Sequence, residues 1–148
     1  MMKMKMVLNR QCGYFDLSIK AIQRFAELEN LTLYYYKRTD VTDTYEKIDI
    51  KSERDLGRHK ILVVQKDFGL ILDLSNDSYS DIVFDVDGID RCNPSLIKVV
   101  EELGKEANCF WSWLEIVEIK PGTKFFIDTD DGMETIVTEE DLVWTIAN

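Results

Sequence analysis

The sequence predicts an α+β fold: a single domain over residues 1–148, with one mixed, largely antiparallel sheet, two main helices and a short C-terminal helix. Three observations carry that expectation. Apolar side chains recur at helical spacing behind an Asn-Pro pair at residues 93–94, several short runs alternate apolar and polar residues, and glycine-containing turns separate those runs. A chain of 148 residues with 45% hydrophobic content can fill one complete core and is too short for two. The charged fraction of 31% and the low glycine and proline counts exclude disordered and fibrous classes.

In chain order, residues 4–8 read as a first strand, followed by a loop, residues 9–16, that carries Gly13. Ser18 is placed to cap a helix running to about Glu29, with Leu17 stapled onto Ile22 and with Ile22, Phe25, Ala26 and Leu28 inward. Residues 31–37 are rich in β-formers and alternate as a strand. The polar segment 38–60 lacks periodicity and reads as a long loop or a pair of weak elements. Residues 61–65 and 70–74 flank a Lys66-Asp67-Phe68-Gly69 turn and predict a hairpin; residues 82–86 predict a further strand.

Asn93 is a good N-cap, and Pro94 suits the first helical position, where its missing N–H costs nothing. Leu96, Val100, Leu103 and Ala107 then form an inward stripe, opposite Lys98, Glu101, Glu102, Lys105 and Glu106. In the strand that follows, Trp111, Trp113, Val117 and Ile119 share one face and Leu114 and Ile116 the other, which predicts an interior strand. Residues 125–128 and 133–137 flank Thr129-Asp130-Asp131-Gly132, and Asp-Gly is a strong hairpin signal. Thr138 with Asp141 forms a capping-box pattern that opens a short helix through Trp144.

Charge is distributed unevenly. Residues 1–66 hold 13 Lys and Arg against 9 Asp and Glu, net +4, whereas residues 67–148 hold 5 against 19, net −14. The total of −10 disfavours general nucleic-acid binding and favours basic partners. The plain alternative is a solvated acidic surface that keeps the protein soluble. Met6, Val7 and Leu8 are too short an apolar run for a signal-peptide core, and no run approaches a membrane span, so the expected location is the cytoplasm, without membrane contact. Cys12, Cys92 and Cys109 are odd in number and widely spaced, as reduced thiols are. They offer His59 no Cys-x-x-Cys pair for a zinc site, and nothing in their spacing favours one as a catalytic partner of His59. No cofactor is implied.

Two strings invite a sharper chemistry. Asp85 and Asp87 in Ile82–Gly88 resemble the nucleophile strand of haloacid-dehalogenase-type phosphatases, with Asp130 and Asp131 as distant metal ligands, but only 60 residues follow Gly88 to build the required core. A strand ending in an Asp-Gly turn explains the same residues. With Gly132 or Gly88 at the sixth position of a calcium loop, the first and twelfth positions are Ile127 and Thr138, or Val83 and Pro94, which cannot serve. Asp128, Asp130 and Asp131 could hold a divalent ion weakly, or form a hydrated hairpin tip.

The segments Gln11-Cys12-Gly13-Tyr14-Phe15-Asp16-Leu17-Ser18, Ile89-Asp90-Arg91-Cys92-Asn93-Pro94, Val99-Val100-Glu101-Glu102-Leu103-Gly104, Ile116-Val117-Glu118-Ile119 and Asp131-Gly132-Met133-Glu134 resemble, in order, a family of small uncharacterised bacteriophage, prophage and viral accessory proteins. Residues 31–88 lie outside the resemblance. It implies a viral accessory protein in the host cytoplasm that binds and inhibits a host or host-defence protein. A basic partner would meet Asp128, Asp130, Asp131, Glu134, Glu139 and Glu140, with Trp144 as an apolar anchor. The rival expectation is a small enzyme or nucleotide-binding protein that uses the loop 9–18, with Arg10, Cys12, Gly13, Ser18 and Arg91 as anion or ligand contacts. The string Phe110-Trp111-Ser112-Trp113 is also a candidate contact between copies of the chain.

Overall fold

The computed structural model describes residues 3–51, 57–75 and 79–147. Its elements are β1 (Met4–Asn9), α1 (Ile19–Glu29), β2 (Tyr34–Arg38), β3 (Thr44–Lys47), β4 (Ile61–Val64), β5 (Ile71–Asp73), α2 (Tyr79–Ile82), α3 (Pro94–Leu103), β6 (Leu114–Ile119), β7 (Phe125–Asp130) and β8 (Met133–Thr138). The architecture is α+β, with two main helices and antiparallel strands throughout. The expected single mixed sheet resolves into three antiparallel sheets: β1 with β6, β7 with β8, and a four-stranded sheet in the order β4-β2-β3-β5.

The helices begin where their caps dictate. Ser18 Oγ accepts the Ala21 N–H at 3.1 Å, and α1 ends at Asn30, whose left-handed backbone (φ 54°) returns its N–H to the Ala26 and Glu27 carbonyls. Asn93 Oδ1 accepts from Ser95 and Leu96, with Pro94 in the first turn. Leu96, Val100 and Ala107 are buried as their spacing predicts, and Val99 joins them.

The central core is shared by every layer. Val7, Leu114 and Ile116 from one face of the β1–β6 ladder meet Ile22 and Phe25 of α1, Leu96 and Val99 of α3, and Tyr35, Ile61 and Val63 from one face of the four-stranded sheet. The opposite face of that sheet buries Tyr36, Leu62, Val64 and Leu72 in a second cluster. Alternation therefore spends the Tyr34-Tyr35-Tyr36 run on two cores. The opposite face of the β1–β6 ladder, with Met6, Leu8 and Ile119, is covered by Phe125, Ile127 and Ile136 of the β7–β8 hairpin.

Several expectations change. Residues 61–64 and 71–73 are strands but do not pair; they sit at opposite edges of the sheet because β2 and β3 stand between them. The intervening turn is held by the Tyr36 hydroxyl, which donates to the Gly69 carbonyl (2.8 Å) and accepts from the Phe68 N–H (3.0 Å). Segment 38–60 contributes β3, a true member of the sheet, and a 3-10 turn at Arg58–Lys60; residues 52–56 of that segment lie outside the described residues. Residues 82–86 form no strand: Ile82 ends α2, Val83 makes one isolated bridge to Val64, and Asp85 accepts the Gly88 N–H to close a turn. β6 has β1 as its strand neighbour and packs both faces by layering instead of by lying between two strands. The C-terminal capping box is present, with Asp141 accepting from the Thr138 N–H at 2.8 Å, yet it opens a 3-10 turn (Glu139–Asp141) and not a helix through Trp144.

Candidate functional site

The loop of residues 9–18 joins β1 to α1, and the tip of the β7–β8 hairpin docks on it. Asp131 and Gly132 form the two-residue turn, with φ values of 51° and 82° as the tight hairpin requires. The Gly13 N–H donates to the Asp131 carbonyl at 2.7 Å. Both glycines are needed for this contact. A Cβ on Gly132 would overlap the Gly13 carbonyl, and a Cβ on Gly13, whose φ is 145°, would overlap the Trp111 carbonyl.

Asn9 is the hub of the docking. It is fully buried; its side chain donates to the Gly132 (2.8 Å) and Gln11 (3.0 Å) carbonyls and accepts from the Trp113 N–H (2.9 Å). Its own N–H donates to Glu134 Oε1 at 3.0 Å. Glu134 also receives Arg91, through Nε (3.1 and 3.2 Å) and Nη2 (3.0 Å), and both side chains are largely withdrawn from water. Arg91 is spent further on Asp87 Oδ1 (2.7 Å) and on the Asp87 and Ile89 carbonyls, while its guanidinium lies 3.4 Å from the Phe15 ring centroid. Arg10 donates to the Glu134 carbonyl and to Thr135 Oγ1.

Two grooves flank this loop. The first, about 1020 Å³, lies between the loop and the hairpin, with Cys12, Tyr14, Phe15, Asp87, Asp131 and Glu134 among its walls. The second, about 770 Å³, lies on the α1 side, with Lys20, Arg58, His59, Cys109, Phe110 and Trp111 among its walls. The rings of Tyr14 and Trp111, 6.4 Å apart and at 82°, form the partition between them. Trp111 is fixed by its indole N–H to Asp16 Oδ2 (3.0 Å) and by an edge contact with His59 (6.3 Å).

Asp16 also accepts from the Leu17 N–H (2.8 Å) and from Arg58 Nε (3.3 Å). Burial nevertheless raises its pKa, outweighing the Arg58 charge and these hydrogen bonds. Cys109 shares the second groove with His59, but burial pushes its thiol up as well, and its Sγ rests 3.2 Å from Ser112 Oγ. A protonated, shielded thiol is a poor nucleophile. Among the described residues no group of three His, Cys, Asp or Glu could hold a metal ion, and no helix is long and apolar enough to cross a membrane.

The sequence-derived site residues thus do not gather on one surface. Asp128 and Asp130 are exposed on the outward face of β7, and Asp131 is exposed at the tip. Glu139 and Glu140 lie at the opposite end of the hairpin, where Lys124 approaches Glu139 at 3.5 Å. Glu134 is 6% accessible and belongs to the buried pair. Trp144 is 85% exposed in the segment that follows the last turn. Arg10 and Arg91 are engaged by the hairpin, Cys12 and Gly13 line the first groove, and the Ser18 hydroxyl is taken by its capping bond and by the Glu106 carbonyl. Phe110 is exposed, whereas Trp111 is held in the partition.

Asn9 and the inward role of Glu134 were missed by sequence reasoning. Alternation signalled the second: Glu134 shares its face with Ile136, opposite Met133 and Thr135. Nothing local signalled Asn9. Comparison of this chain with family models, curated proteins and solved structures finds no match. Several of the motif residues singled out in the sequence, among them Gly13, Ser18, Asn93, Gly132 and Glu134, are the caps, turns and docking contacts described above.

Proposed function

We propose that this protein is a viral accessory protein that binds and inhibits a basic host or host-defence protein, and that the β7–β8 hairpin is its contact surface. One observation carries the reading: Asp128, Asp130 and Asp131 are exposed, and among the described residues none of them has an ion-pair partner. Elsewhere some charges are answered locally, as Lys5 by Glu101, Lys20 by Glu106 and Arg24 by Glu102. An unanswered row of carboxylates is an electrostatic steering surface for a cationic partner.

Apolar area accompanies the charge. Phe126 shares the outward face of β7 with Asp128 and Asp130 and is half exposed, while Val143, Trp144 and Ile146 are each more than 80% exposed beyond Glu139 and Glu140. Exposed aromatic and aliphatic anchors beside charges of one sign are the composition of a protein interface. The groove beside the tip, with Asp87 and Asp131 near the exposed Tyr14 ring, suits a lysine or arginine side chain of that partner.

The test is affinity capture from infected or defence-bearing host extract, with the D128K/D130K variant alongside. The expected result is a basic protein that elutes as salt rises and is lost by the variant, with affinity reduced about tenfold or more. Capture unchanged by charge reversal and by salt would overturn the acidic-surface reading.

A further inference from the structure

We infer that the second groove is a binding site for a mononucleotide-type ligand, a planar aromatic ring bearing a phosphate, with Phe110, Trp111 and His59 facing the ring and Lys20 and Arg58 facing the anion. This site is independent of the acidic hairpin.

The sign of its charge is the first reason. The chain carries −10, yet among the described residues no carboxylate lines this groove, and the charged wall residues among them are Lys20 and Arg58, with His59 beside them. A small anion is the ligand class such a wall attracts, whereas a long polyanion would meet the −14 of the second half.

Shape is the second reason. A volume of about 770 Å³ lies within the range of small-molecule clefts. Its aromatic wall is pre-arranged: Trp111 is held by Asp16, and His59 lies against it. Phe110, 92% exposed at the rim, has no core role and offers a free ring face. Flat π surfaces of this kind bind nucleobases by stacking.

The anion end is available as well. Lys20 pairs with Glu106 at 3.0 Å, but both side chains are more than 60% exposed, so a phosphate can replace Glu106 at little cost. Arg58 is ion-paired with Asp16 through Nε and bonds the Ile61 carbonyl through Nη1, so Nη2 is the edge it has left for an anion. Ile19 and Lys20, the first residues of α1, also line the groove, and first-turn amides have no partner within a helix. Their positive potential adds to that of the two cations.

The experiment titrates the full chain with AMP, GMP, CMP and UMP, followed by calorimetry and tryptophan fluorescence, with adenosine and inorganic phosphate as separate arms. The expected result is saturable binding of at least one mononucleotide, with adenosine and phosphate each weaker by about tenfold or more. F110A and K20E alter exposed side chains and should leave the ligand-free melting midpoint in place, while each lowers affinity about tenfold. The inference is overturned by no saturation with any of the four up to about 5 mM, by equal affinity in both variants, or by a short single-stranded oligonucleotide binding more tightly than the mononucleotides.

Discussion

The two grooves on either side of the Tyr14–Trp111 partition share one loop and differ in almost everything else. The hairpin side is lined by Asp87, Asp131 and Glu134 with the paired Arg91, and is built by backbone contacts, a buried ion pair and a fully buried asparagine. The α1 side presents Lys20 and Arg58 beside aromatic rings and is held chiefly by Asp16. The lesson is that folding brings the two charge poles of the sequence to opposite sides of one loop, cations of the first half on the α1 side and carboxylates of the second half on the hairpin side. Arg91 is neutralised by Glu134 while Asp131, one turn away from it in the hairpin, is left to solvent.

The strongest way to break this contrast is to remove Glu134. E134A removes the buried carboxylate from the Arg91 guanidinium, leaving it only the exposed Asp87, and takes the acceptor from the Asn9 N–H; it should lower stability in urea denaturation by about 3 kcal/mol. A loss below about 1 kcal/mol would mean the pair is incidental to the docking. G132A comes next. Its Cβ would overlap the Gly13 carbonyl at a positive φ, and a destabilisation of about 2 kcal/mol is expected, with increased amide exchange confined to the loop 9–18 and the hairpin.

Asp16 sharpens the comparison through pH. Because burial raises its pKa in the folded state, the folded protein holds this proton more tightly than the unfolded chain does. Its contribution to stability is therefore present at low pH and is lost as pH rises from the usual aspartate range through the raised value. Asp67, hydrogen-bonded by Lys47, and Glu102, hydrogen-bonded by Arg24, have lowered values and act oppositely, losing their small stabilisation as pH falls. D16N should flatten the first slope in a pH series of urea melts and leave the second; an unchanged profile would show that Asp16 does not titrate as its surroundings require. The smallest effect belongs to Trp144, whose exposed ring supports no packing: W144A should change stability by no more than about 0.5 kcal/mol while weakening partner capture.

Caps and turns were legible in the sequence because their partners lie within a few residues. Ser18, Asn93, the Thr138–Asp141 box and the Asp131-Gly132 turn all stand as their residue types require. Strand pairing was less legible. Residues 61–64 and 71–73 flank a short turn as a hairpin would, but pairing depends on which edges other strands leave open, and β2 and β3 take the places between them. Likewise, β-formers at 82–86 made no strand, since Val64 offers a single bridge at that edge and a Gly88–Asp85 turn follows.

The α+β class, the two helices with their inward faces, the tip of the terminal hairpin and the excess of carboxylates in the second half can all be read along the chain. Which charges are paired and which stay exposed is set by folding in three dimensions. Glu134 reaches Arg91 across 43 positions and the Asn9 amide across 125, and no local pattern can announce bonds of that span. The physical reason is that a charge becomes structural or available according to what desolvates and pairs it, which is set by the packing of layers and not by its neighbours along the chain.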